Sequence, residues 1–266
     1  MTSTPGPEFW SLIRPYTGAV THHGPPPDGH GFSTDVLLVV ECENGSFFLK
    51  GMRNRPGGRR DQMVREGLIN PFVRSVSPEL MWSTEDEHWI VLAFERVHAR
   101  EAAFDSHTGD LPTIVGMLNQ IGRLELPDIA REWHETRWDW WADAGTTDLF
   151  RGDTLLHADI NPSNFLICER RSWIVDWSWP TRGAAFIDPA MLVLQLVADA
   201  HTPQEAESWA ARCPAWVDAD PKAIDAFVVA YTRMNRHRAL RRPEEPWLRA
   251  MFDATHAWAT HRGLEY

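Results

Sequence analysis

Asp159, Asn164 and Asp176 constrain the chain most, because they lie in the one β-like stretch of an otherwise helical carboxyl half. The stretch runs His157-Ala158-Asp159-Ile160-Asn161-Pro162-Ser163-Asn164, then an apolar run at 165–168, a polar turn, and a second run at 173–175 that delivers Asp176-Trp177. Short apolar runs separated by polar turns read as strands. A hairpin between Asn164 and Asp176 returns the second acid beside the loop that carries the first, so three oxygen-bearing side chains can converge. Such hard donors suit magnesium. A polar turn bonding its own backbone would also account for Asp and Asn here, and the amino-terminal half decides between the two.

Residues 1–28 are rich in Pro and Gly and read as an irregular lead-in with one short helix. Runs at 36–42 and 46–52 are β-type and joined by Glu43-Asn44-Gly45, with Asn-Gly at the turn. A second pair, 79–83 and 89–94, flanks Thr84-Glu85-Asp86-Glu87. Between the pairs, 60–73 sets Met63, Val64, Leu68 and Phe72 at helical spacing. The order β-β-α-β-β predicts a small sheet carrying one helix, followed by a mainly helical half: an α+β chain. Of 26 basic residues only Lys50 and Lys222 are lysine. A lysine kept in so arginine-rich a chain marks a position where a compact ammonium is wanted. Lys50 ends the strand that should be third in the lobe, and Glu66 lies on the helix after it.

His-x-Asp, an Asn five residues after the Asp, and a second Asp beyond a hairpin together resemble the kinase fold, specifically the aminoglycoside phosphotransferase family. The resemblance spans roughly residues 29–200. It implies a two-lobed protein-kinase-like fold: an N-terminal nucleotide-binding lobe over 1–97, with a small antiparallel sheet and one helix, and a larger helical lobe over 98–266 for catalysis and acceptor binding. It implies Asp159 as catalytic base and Asn164 and Asp176 as ligands of Mg2+ on the phosphates of ATP or GTP. By the same match Lys50 holds α- and β-phosphate oxygens and Glu66 orients it. Gly29, Gly31, Ser33 and Thr34 form the glycine-rich loop, with Thr34 at the third glycine, and Glu95 and Val97 belong to the hinge that bonds the base. The chain departs from the family in having Ala158 for Gly, and from protein kinases in having Asn161 for Lys and Trp177-Ser178 for Phe-Gly. The short segment from Asp176 to Ile187-Asp188-Pro189 has no room for a long phosphorylated activation loop, which favours a small-molecule kinase over a protein kinase.

Other motifs fail. Neither lysine sits in Gly-Lys-Ser/Thr, so there is no P-loop, and His134-Glu135 lacks a second zinc-protease histidine because residue 138 is Trp. Cys42, Cys168 and Cys213 are too few and scattered for a disulfide framework. A net charge of −11 argues against nucleic acid and favours a cationic small-molecule acceptor. The resemblance makes an aminoglycoside the leading acceptor, ahead of macrolides, choline and amino-acid alcohols. A nucleotide-binding pseudokinase is opposed by the full set Lys50, Glu66, Asp159, Asn164 and Asp176. No membrane span, export signal or protein partner is expected, and the chain reads as cytoplasmic. His157 reads as a brace for the loop, Asp188 as a helix N-cap before Pro189, and Trp133, Trp138, Trp140 and Trp141 as helix core rather than a sugar-stacking wall. Asp110, Thr202 and Asp220 read as helix caps.

Overall fold

The computed structural model describes residues 5–26 and 34–266. They fall into two compact units, one holding the chain up to Glu101 together with Leu166–Trp179, the other Ala102–Phe165 and Pro180–Tyr266. The sequence reading places one division, after residue 97. The chain instead passes between the units three times, because the hairpin after Asn164 closes on the first unit.

In the first unit, helix α1 (Pro7–Thr17) precedes strands β1 (Val20–Gly24), β2 (Val36–Cys42) and β3 (Gly45–Arg53), helix α2 (Gly58–Val73), and strands β4 (Leu80–Glu85) and β5 (Trp89–Glu95). The five strands make one antiparallel sheet in the order β1-β2-β3-β5-β4. Strand alternation divides its faces. Phe47 and Leu49 of β3 point with Val36, Leu38 and Val40 of β2, and with Trp89, Val91 and Ala93 of β5, into a core closed by Phe9 and Ile13 of α1. Gly51 also faces α1, where a Cβ would come within 2.8 Å of the Phe9 ring. The alternate residues point the other way, so Met52, Ile90, Leu92 and Phe94 pack with Met63 of α2, and Phe48 joins them. Lys50 lies between Phe48 and Met52 in this alternation and opposite Leu92 in register, which turns it toward α2.

Both predicted strand pairs and the helix between them form, each within two residues of the sequence reading at either end. The lead-in is more ordered than its composition suggests, since α1 supplies Phe9 and Ile13 to the core and β1 pairs with β2. β1 escapes a periodicity reading because the sheet edge leaves its three central residues exposed. The segment 166–179 joins this unit through backbone pairing: Arg100 and Glu101 pair with Ile167 and Leu166, and the Ile174 amide donates to the Val76 carbonyl at 2.7 Å.

The second unit contains helices α3 (Leu111–Ile121), α4 (Ile187–Ala198), α5 (Pro203–Ala210), α6 (Pro214–Val217), α7 (Pro221–Arg241) and α8 (Pro246–His261), with the short strands Thr154–Leu156 and Thr181–Gly183 paired antiparallel. Thr202 forms the capping box with Glu205, and Asp220 caps α7 by accepting from the Lys222 amide. Asp110 makes no cap bond to α3; its carboxylate accepts from the Ala103 amide at 3.1 Å instead. The tryptophan run is not a helix core. Asp139–Trp141 is a single 3-10 turn, beside which Trp138 is buried against Phe227 and Tyr231 while Trp140 is 87% exposed. Among the described residues no helix is long and apolar enough to cross a membrane.

Candidate active site

In the first unit Lys50 Nζ donates to Glu66 Oε1 at 2.6 Å and to Asp176 Oδ1 at 2.8 Å. Strand alternation aims Lys50 at α2, the helix supplies Glu66, and the 166–179 hairpin returns Asp176, so three elements are needed for one contact set. Lys50 and Glu66 are buried, whereas the Asp176 side chain keeps 32% of its exposure. Among the described residues Asp176 is also one of three non-glycine residues with positive φ, at 61°, a conformation that Asp tolerates better than most L-residues. The Trp177 amide that follows it bonds Glu66, tying the turn to α2.

Burial alone would push the Lys50 ammonium down, but the charges of Asp176 and Glu66 hold it above the ordinary lysine value. Burial pushes the Glu66 carboxyl up to about 7, with the Lys50 charge opposing. A carboxyl whose folded pKa exceeds its unfolded value contributes stability that is fully present below the unfolded value and is lost as pH rises through the folded one. Lys50 stays cationic across that window and Asp176 is the other charge facing the pair. Wild-type stability relative to Glu66→Gln should therefore decline between about pH 5 and pH 7.5. Denaturation midpoints at the two pH values check it, and a flat or rising difference would refute the assignment.

In the second unit the Asn164 amide donates to the Asp159 carbonyl at 2.8 Å and to Asp159 Oδ2 at 3.1 Å. A 3-10 turn over Pro162–Asn164 brings the two together. Asp159 is half-buried and Asn164 buried. Behind them, Asp188 accepts from the His157 and Ala158 amides, each at 2.9 Å. Asp188 lies inside the first turn of α4 and the N-cap is Phe186, so its carboxylate braces the loop instead of capping the helix. Burial pushes the Asp188 carboxyl up, against the charge of His157 and the bonds from those amides. His157 is fully buried beside it.

Gly29, Gly31 and Ser33 lie outside the described residues. Thr34 is half-buried just before β2. Glu95 ends β5 with its amide given to the Glu79 carbonyl at 2.8 Å, and Val97 follows the strand, half-buried. Sequence reasoning missed Arg137 and Glu135: Arg137 Nη1 donates to the Ala158 carbonyl at 2.9 Å, and buried Glu135 receives the Arg137 backbone amide at 2.8 Å. No local signal marks the bond to Ala158, whose partners are 21 residues apart.

The chemistry of Asn164 and Asp176 fits magnesium. With its amide nitrogen committed to Asp159, Asn164 has a carbonyl oxygen to offer, and Asp176 adds a partly exposed carboxylate; both are hard donors. Magnesium commonly takes one or two protein donors together with substrate phosphates, so each residue offers an oxygen of the kind it accepts.

No protein-family model and no curated sequence matches the chain. Solved structures do. An aminoglycoside 2'-phosphotransferase-IIIa superposes with a TM-score of 0.61 at 12% identity, covering 96% of this chain and 98% of that one. A thermostable mutant of the aminoglycoside phosphotransferase APH(4)-Ia gives 0.60 at 15%, covering 92% and 97%. The choline kinase LicA from Streptococcus pneumoniae gives 0.57 at 12%, covering 96% and 90%. The chain has the α+β protein-kinase-like fold. Its form is the one these small-molecule phosphotransferases and kinases share.

Proposed function

We propose that the chain is a magnesium-dependent phosphotransferase that moves the γ-phosphate of ATP or GTP to a hydroxyl of a small molecule, with an amine-bearing acceptor of the aminoglycoside kind first in line. The observation that carries this reading is buried Lys50 held by Glu66 and Asp176 at 2.6 and 2.8 Å. A buried ammonium between two carboxylates is costly to desolvate, and phosphate recognition is the use that repays keeping it. Support comes from structures of like fold solved with AMP-PNP and hygromycin B, with GDP, and, for the choline kinase, with AMP.

In this reading Lys50 neutralises phosphate oxygens and Glu66 fixes its direction. The acceptor oxygen bonds the γ-phosphorus as the bond to the bridging oxygen breaks, and the hydroxyl proton passes to the Asp159 carboxylate, leaving nucleoside diphosphate and phosphorylated acceptor. Asn164 holds Asp159 through its amide. Asn164 and Asp176 would hold the magnesium, which supplies charge neutralisation on the phosphates when bound.

The preference for a cationic acceptor rests mainly on the likeness to aminoglycoside phosphotransferases, and the net charge of −11 has the sign it requires. Two acids that could have added to that field are already paired, Asp139 with Arg151 and Asp143 with Arg233. The test is a coupled nucleotide-turnover screen with magnesium against aminoglycosides, macrolides, choline and amino-acid alcohols. We expect stimulation by an amine-bearing sugar, with a KM that rises with salt as screening shortens to about 10 Å at 0.1 M. Nucleotide binding without transfer to any acceptor would overturn the enzyme reading; transfer to neutral acceptors alone would overturn the cationic one.

A further inference from the structure

We propose that Arg137 is a positioning residue for Asp159, acting through the Ala158–Asp159 peptide; this rests on the phosphotransferase reading for the role of Asp159. Ala158 is fully buried and has φ of 58°, in the left-handed region that an L-residue with a Cβ enters at a cost. Its two peptide planes are held by opposite charges. On the amino side the Ala158 N–H donates to Asp188 Oδ1 at 2.9 Å. On the carboxyl side the Ala158 carbonyl, which belongs to the same peptide plane as the Asp159 N–H, accepts from Arg137 Nη1 at 2.9 Å. The Arg137 bond therefore sets the plane from which the Asp159 side chain departs.

Arg137 is itself well anchored. Its backbone amide donates to Glu135 Oε1 at 2.8 Å, its Nη2 lies 3.4 Å from Glu135 Oε2, and Thr181 Oγ1 donates to the same oxygen at 3.0 Å. The Arg137 guanidinium carbon lies 5.0 Å from the Trp138 ring centroid, and Trp138 is buried against Phe227 and Tyr231. The carbonyl thus meets a guanidinium fixed by one strand, one turn and one helix. A planar fork fixed in this way orients its acceptor more firmly than a flexible ammonium would.

Two arms test the inference. Amide hydrogen exchange over 156–161 should accelerate at least about tenfold in Arg137→Met, with the rest of the chain and the denaturation midpoint little changed, and Arg137→Lys should fall between. This arm needs no turnover, so it decides the clamp even if the screen finds no acceptor and the enzyme reading fails. In the second arm, Arg137→Met should lower kcat about tenfold while nucleotide KM stays put, and should cost nothing further in an Asp159→Asn background, because the group it positions is already gone. Unchanged exchange over 156–161, or an equal loss of kcat in both backgrounds, would overturn the proposal.

Discussion

Replacing Asp159 by Asn should lower kcat by about 10²–10⁴-fold, the usual worth of a positioned general base. The substitution keeps the shape of the side chain and an oxygen able to accept from Asn164 Nδ2, so the 3.1 Å contact that holds the loop can survive it. The other bond from Asn164 Nδ2, to the Asp159 main-chain carbonyl at 2.8 Å, does not involve the Asp159 side chain at all. Nucleotide affinity should therefore change little, and the loss should sit in kcat. Steady-state kinetics with the best acceptor from the screen, beside nucleotide titration by calorimetry, separate the two. A turnover number equal to that of wild type would remove Asp159 from the chemistry.

The cluster of Lys50, Glu66 and Asp176 in the first unit was legible in part because its members are tied to regular patterns. Alternation along β3 fixes the side of the sheet to which Lys50 points, and Glu66 lies on a helix whose apolar spacing could be read directly. The apolar runs on either side of a polar turn announced the hairpin that carries Asp176, but not its contact with Lys50. The bracing of the loop at 157–164 was not legible, since it depends on partners that no local period connects. Asp188 before a proline has the form of a cap, and only the fold shows its carboxylate receiving the His157 and Ala158 amides. Arg137 is one arginine among many until Ala158 is placed beside it.

The tryptophan run misled for a related reason. Four tryptophans within nine positions suggest a helix face, yet the Trp138 carbonyl takes the Trp141 amide at 2.9 Å and closes a tight turn that buries one ring and exposes another. The division after residue 97 likewise assumed that each unit is continuous in sequence. Backbone pairing of Arg100 and Glu101 with the strand after Asn164 carries 166–179 into the first unit.

Replacing Asp176 by Ala should reduce magnesium-dependent turnover by about 10³-fold or more, equivalent to about 4 kcal/mol of transition-state stabilisation. The effect should not come from unfolding. Lys50 keeps Glu66 at 2.6 Å when Asp176 is gone, so the buried ammonium is not left without a partner. The backbone is the confounding factor: position 176 has φ of 61°, where alanine is strained by roughly 1–2 kcal/mol. Asp176→Asn controls for this, since Asn tolerates the left-handed region and removes only the charge. If Asp176 serves the metal, the Asn variant should need more magnesium to reach half-maximal turnover and the Ala variant should fall to background, while both keep a near-native denaturation midpoint. Full turnover at wild-type magnesium in both variants would show that the carboxylate has no part in holding the cation.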